Sequence, residues 1–372
     1  MNTKKILVIS AYQPNAKNEG GGPTGLLWEI IDYLTNELKI KVDTEVYPMS
    51  TSKLIRVINR NGFYLGRHKR ITQSYSNIIV YPEQMLFFLQ KEDWKRTIVL
   101  GPDSPSLRDA RVYRTKKSCV GRLIKLLMIK IARYNEYIAL KNVFKYIVVG
   151  STDKKYMHAN KYLLCNNKLK EKILFLRHPM LSNVINMNIP SKIKHKRFVF
   201  SITPQQENQS FINALINELK VLEIIQENNM EIILVGKSSE WMKRLFGKLK
   251  KCKVNYYSWI DNYEDLCLFG VDVHCLPILS GSGTKNRTLT ALGSYLLVIS
   301  TPIGIENIPR RGEQGVFVTS SPIEFAQIMV NLNDNKIEIN NDRLIDSRKK
   351  LIRRIFDEYE GKMKKIFRDD AN

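Results

Sequence analysis

Residues 271–306 constrain the fold more than any other stretch. They read V-D-V-H-C-L-P-I-L-S-G-S-G-T-K-N-R-T-L-T-A-L-G-S-Y-L-L-V-I-S-T-P-I-G-I-E. The pattern predicts a buried strand over 271–277, a turn over 280–284, a helix over 285–295 and a second strand over 296–300. In the helix Leu289, Ala291 and Leu292 face inward. Small residues ahead of a helix leave its first N–H groups open and let a ligand approach the backbone. Those donors and the helix dipole favour an anion, with phosphate or diphosphate the natural guest. Gly283, Thr284 and Lys285 are the first candidates, with Arg287 a second cation. A Gly/Ser loop between strand and helix is also ordinary in α/β chains, so the rest of the sequence has to decide.

The same rhythm recurs on both sides. In the second half strands are expected at 198–202, 231–236, 253–258, 271–277 and 296–300, with helices at 209–226, 240–249 and 263–269. In the first half strands are expected at 5–10, 42–46, 77–81, 97–100 and 146–151, with helices at 26–38, 53–59 and 122–133. Strands alternating with helices imply parallel sheets with right-handed crossovers, an α/β class. At 372 residues the chain has room for two domains. The expected division is 1–180, a linker 181–196, a second domain 197–340 and a helical tail 341–372.

Gly20-Gly21-Gly22-Pro23-Thr24-Gly25 follows the first strand only after about ten residues. A dinucleotide fingerprint begins directly after its strand, so this run reads as a glycine loop facing a ligand rather than as a cofactor site. Glu83 and Asp103 each follow a strand, where the carboxyl ends of an open sheet form the ligand crevice. Taken alone, Asp103 also suits the cap of the helix after Ser104-Pro105. His274 sits mid-strand and reads as a core histidine. The five cysteines are scattered without a C-x-x-C or zinc spacing. No metal site and no cofactor are expected.

Charge adds a partner. The chain has 59 Lys+Arg against 36 Asp+Glu, net +23. Residues 1–180 hold 32 basic and 14 acidic residues, a net of +18. A one-sided positive field implies a polyanionic partner. Over 122–133 the basic residues are interleaved with Leu123, Ile124, Leu126, Leu127, Met128, Ile129 and Ile131. This suits either a helix lying on an anionic membrane or a core-packed helix with a solvated basic face. Nucleic acid is disfavoured, because the cations lie among aliphatics and no recognition motif is present. No apolar run reaches the roughly 20 residues of a membrane span, and no signal peptide is read at the start. The expected location is the cytoplasm, peripheral on the inner face of the plasma membrane.

The second half resembles the family 4 (group 1) glycosyltransferases of bacterial surface-polysaccharide synthesis. The matching words are E-I-I-L-V-G-K at 231–237, Y-Y-S-W-I-D-N-Y-E-D-L at 256–266, 271–287 of the glycine-loop stretch, and L-L-V-I-S-T-P-I-G-I-E-N at 296–307. In the first half Gly20-Gly21-Gly22, I-V-Y-P-E at 79–83 and G-P-D-S-P-S-L at 101–107 look like loops of these enzymes. The resemblance implies a GT-B fold, two Rossmann-like parallel-sheet domains facing a cleft. It implies retaining transfer from a nucleotide-diphosphate sugar to a lipid-linked or polysaccharide acceptor in capsule, O-antigen or similar glycan synthesis. Gly283, Thr284, Lys285 and Arg287 would then hold the diphosphate, with Gly21 and Gly22 closing on phosphates or sugar. The base would sit near Trp259, Ile260 and Asp261. Asp103 is the first candidate for acceptor positioning or proton acceptance, and Glu83 the second. The chain departs from the pattern where the ribose would be held, and also at Arg287, where many members have lysine, and at Tyr295-Leu296-Leu297, in place of the usual Gly-x-Pro. Thr290 and Ser282 stand where the family commonly has ribose-binding acids, and a threonine hydroxyl holds a ribose hydroxyl more weakly. A GT-B-fold binding or regulatory subunit with little or no catalysis is therefore the alternative, and an epimerase of the same fold is a further one.

Overall fold

Among the described residues two six-stranded sheets, each parallel throughout, carry the fold. The computed structural model describes residues 4–14, 22–47, 52, 69–71, 74–101, 103–116, 118–179, 196–201, 206–236, 240–260, 263–309 and 313–367. Gly21, Asp261, most of the expected linker and the helix expected at 53–59 lie outside these residues.

The first sheet comprises β1 (Lys5–Ser10), β2 (Lys41–Val46), β3 (Asn77–Tyr81), β4 (Thr97–Gly101), β5 (Lys145–Val148) and β6 (Ile173–Phe175), ordered β2-β1-β3-β4-β5-β6. Its helices include α1 (Gly22–Asp32), α2 (Pro105–Thr115), α3 (Cys119–Asn142) and α4 (Ser151–His158). Strands buried on both faces read as continuous apolar runs, and K-I-L-V-I-S and N-I-I-V-Y are such runs. One face packs Leu7, Ile9, Ile78, Val80 and Val99, while the other packs Ile6, Val8, Ile79, Ile98 and Leu100.

The second sheet comprises β7 (Arg197–Phe200), β8 (Met230–Val235), β9 (Cys252–Tyr257), β10 (Asp272–Leu276), β11 (Leu297–Ser300) and β12 (Val316–Val318), ordered β12-β11-β10-β7-β8-β9. Its helices include α5 (Gln206–Leu222), α6 (Glu240–Phe246), α7 (Asn286–Gly293), α8 (Pro322–Asn333) and the start of α9 (Asn341–Phe367). The chain leaves β7 toward β8 and β9, then returns to build β10, β11 and β12 on its other side. The switch point therefore lies between β7 and β10, where α/β folds place their ligands.

Several boundaries differ from expectation. The helix expected at 263–269 is a single 3₁₀ turn, Tyr263–Leu266. Asp272 accepts the Leu268 amide at 2.8 Å, and Gly270 turns the chain at φ +75°. The helix expected at 122–133 is part of the longer α3, capped by Ser118. β6 and β12, three residues each, were not expected, since I-L-F and V-F-V are too short for a period-2 signal.

By internal contacts the chain forms two units, residues 1–178 with 359–372, and residues 179–358. The expected 341–372 tail is thus divided. Leu344, Leu351 and Ile355 bury in the second unit's clusters. Tyr359, Met363, Ile366 and Phe367 bury among Ile6, Leu27, Ile30 and Leu34 of the first unit. Lys4 and Lys145 donate to the Phe367 and Ile366 carbonyls at 2.8 and 3.2 Å, closing the carboxyl end of α9 with the sign its dipole favours.

Candidate functional site

The loop between β10 and α7 is built around two glycines that other residues could not replace. Gly281 has φ +110° and Gly283 φ +69°, conformations in which a Cβ is strained. Consecutive turn-forming amides of this kind make anion-binding concavities. Thr284 is buried beside them.

Lys285 occupies the position just before α7 and does not cap it. Its Nζ folds back to donate to Ser282 O at 2.8 Å and Gly283 O at 3.0 Å, and lies 3.4 Å from Glu306 Oε1. The ammonium, expected to help hold a diphosphate, here staples its own loop. Its charge is partly answered by a carboxylate that follows β11, which sequence reasoning missed because the partners lie 21 residues apart.

Arg287 differs. Burial pushes its guanidinium's pKa down, opposed by the nearby Tyr263 phenol. No carboxylate among the described residues pairs with it. Thr290 lies one turn further along the same face and is half-buried. Thr288 is turned the other way, donating to Gly304 O at 2.7 Å. Asn208, near the start of α5, accepts the Leu279 amide at 2.9 Å and so ties the loops after β7 and β10 together across the switch point.

Half-buried Tyr263 and fully buried His274 form a polar pair, and Tyr263 lies near Arg287. His274 Nε2 is 2.8 Å from Leu266 O, and its Nδ1 is 3.4 Å from the Tyr263 hydroxyl. Burial lowers the His274 pKa. A neutral ring that donates from Nε2 to Leu266 accepts from Tyr263 at Nδ1, so His274 is a satisfied core histidine. Trp259 and Ile260 follow β9. Ile260 packs on Val199, Ile233, Val235 and Leu266, while Trp259 is largely exposed.

In the first unit Glu83 and Asp103 follow β3 and β4, on the same edge of their sheet. Ser104, not Asp103, caps α2, its hydroxyl accepting the Leu107 amide at 3.3 Å. Asp103 instead lies 3.6 Å from the Arg108 guanidinium. The Tyr81 hydroxyl, fully buried, has no hydrogen-bond partner among the described residues. Beneath Asp103, Glu136 accepts from both Ser104 and Ser106 hydroxyls at 2.8 Å, and Asp153 accepts the Ser104 amide at 2.8 Å. Gly22 opens α1. Among the described residues no group of three or more His, Cys, Asp or Glu could hold a metal ion.

Comparison with known proteins bears on both units. Residues 197–335 match the family model described as Glycosyl transferases group 1. No curated protein sequence matches. Among solved structures, the chain is similar to WaaG, a glycosyltransferase involved in lipopolysaccharide biosynthesis, at 11% identity and TM-score 0.58, covering 97% of this chain and 100% of that one. It is similar to Anabaena Alr3699/HepE in complex with UDP-glucose at 12% identity and TM-score 0.55, covering 97% of this chain and 99% of that one. It is also similar to sucrose-phosphate synthase from Thermosynechococcus elongatus at 12% identity and TM-score 0.64, covering 98% of each. At such identities the likeness establishes the architecture, GT-B, across nearly the whole chain.

Proposed function

We propose, from the match of residues 197–335 to the group 1 glycosyl transferase model, that the chain moves a sugar, with retention, from a nucleotide-diphosphate sugar to a lipid-linked or polysaccharide acceptor in capsule, O-antigen or similar glycan synthesis. Arg287 carries the reading. A half-buried guanidinium with no carboxylate partner among the described residues, in the first turn of a helix that follows the switch-point strand β10, is a cation waiting for an anion.

As the anomeric C–O bond breaks, negative charge collects on the departing diphosphate, and fixed donors there stabilise the transition state more than the ground state. Arg287 and the amides of Gly283 and Thr284 take that role. Lys285 contributes by holding the loop in shape. Thr290 meets a ribose hydroxyl, and Trp259 and Ile260 receive the base. Gly21 and Gly22 supply backbone donors to the phosphates or sugar. Asp103, with Glu83 second, positions the acceptor hydroxyl or takes its proton. An acceptor on a lipid carrier places the work at an anionic membrane, which the net of +18 over residues 1–180 suits. No helix among the described residues is long and apolar enough to cross a membrane.

Thermal shift across UDP-, GDP-, dTDP- and CMP-sugars tests the donor. A ligand at 100 times its Kd stabilises by about 2.7 kcal/mol. Arg287→Gln should remove that shift and lower kcat/KM by about 10²–10³. A folded wild type that no nucleotide sugar stabilises favours the non-catalytic subunit instead.

A further inference from the structure

The first half of α3 is a helix with one side left uncovered. Its buried residues begin only at Ile129. Before that, Val120 (67% exposed), Leu123 (69%), Ile124 (54%) and Leu127 (59%) recur at i, i+3, i+4 and i+7, so they form one stripe along the helix. Leu126 flanks it and Tyr134 continues it by two turns. Amphipathic helices of globular domains turn such a stripe inward.

The outward setting is enforced by specific contacts. Lys125 Nζ reaches Asp109 of α2 at 2.8 Å, and Asp109 is buried. Arg122 Nε donates to Lys116 O at 2.7 Å, and Ser118 caps the first turn. These contacts fix the rotation of α3 about its axis, so that Lys125 faces α2 and the stripe faces away.

Charge identifies the occupant. Residues 104–135 contain nine Lys and Arg and one acid, Asp109, which Lys125 already neutralises. Arg114, Arg122 and Lys130 are exposed, and Lys130 flanks the stripe. A second copy would bring this positive field against itself. An anionic lipid leaflet answers both features at once, with acyl chains for the stripe and headgroups for the cations.

We propose that α3 is the docking helix of this protein, inserting Val120, Leu123, Ile124 and Leu127 into an anionic leaflet while Lys130 beside the stripe meets the headgroups and the other exposed cations of this basic segment supply the attracting field. The inference rests on the peripheral-membrane part of the function proposed above and names the surface responsible.

The test uses the full chain with phosphatidylglycerol/phosphatidylethanolamine vesicles and with phosphatidylcholine vesicles. Wild type should float with the anionic vesicles and markedly less with the neutral ones. Leu123→Glu with Leu127→Glu, at exposed positions that leave the core untouched, should weaken binding more than about tenfold. Leu123→Trp should show quenching by lipids brominated on their acyl chains. Equal flotation of wild type and the double variant, an unquenched Trp, or a stripe-dependent dimer in sedimentation would each overturn the proposal. Nucleotide-sugar stabilisation measured on the same samples separates the two readings. If it persists while flotation is indifferent to the stripe, docking by α3 fails and the transferase stands. If it is absent while the stripe still governs flotation, the reverse holds.

Discussion

Lys285 and Arg287 are two residues apart, and both are cations beside a glycine loop. Only their surroundings separate them. Lys285 is held by two carbonyls of its own loop and by Glu306, whereas Arg287 is half-buried beside a phenol. Lys285→Ala should therefore abolish transfer by loosening the loop, while the protein stays folded. Transfer at the wild-type rate, measured with radiolabelled donor, would remove Lys285 from the site. Glu136 offers a second test at this scale. Burial raises its pKa above the ordinary carboxyl value, against the hydrogen bonds from Ser106 and Ser104 that lower it. The folded state then binds the proton more tightly than the unfolded state. The stability that Glu136 contributes is full below the ordinary Glu range and is lost as pH rises through its raised folded value. Urea titrations at several pH values should show that decline in wild type and not in Glu136→Gln.

The turn after β11 is where one element limits another. A Cβ on Gly304 would stand 2.2 Å from Ser300 Oγ and 2.8 Å from the Leu276 carbonyl, and the second of these is backbone that cannot rotate away. Thr288 of α7 also donates to the Gly304 carbonyl. Gly304→Ala should cost about 1–3 kcal/mol in urea unfolding, through the strain of overpacking, and should weaken donor binding because α7 moves with the turn. An unchanged midpoint would mean that β10 and β11 separate more easily than their burial suggests. The strands themselves were legible as apolar runs. The turn contact was not, because nothing in P-I-G-I-E names the carbonyl that Gly304 meets.

Across the whole molecule, α9 links what sequence order separates. Its last three turns bury Tyr359, Met363, Ile366 and Phe367 in the core of the first unit, although the second unit lies between them in the chain. Ending the chain at residue 358 should destabilise the first unit while leaving the second cooperative, seen as a split of the thermal transition in calorimetry. A single unchanged transition would show that these buried side chains contribute little.

Alternation of apolar runs with helical periods was enough to imply parallel α/β sheets and a glycine turn at 280–284. Each of these depends on residues close together in the chain, where backbone preference and side-chain period act directly. Which cation is already answered, which strand edge is the switch point, which unit receives the end of α9 and which way the apolar side of α3 points all depend on partners distant in sequence, such as Glu306, Asp109 and Ile6. Packing selects those pairs, and no local pattern encodes them.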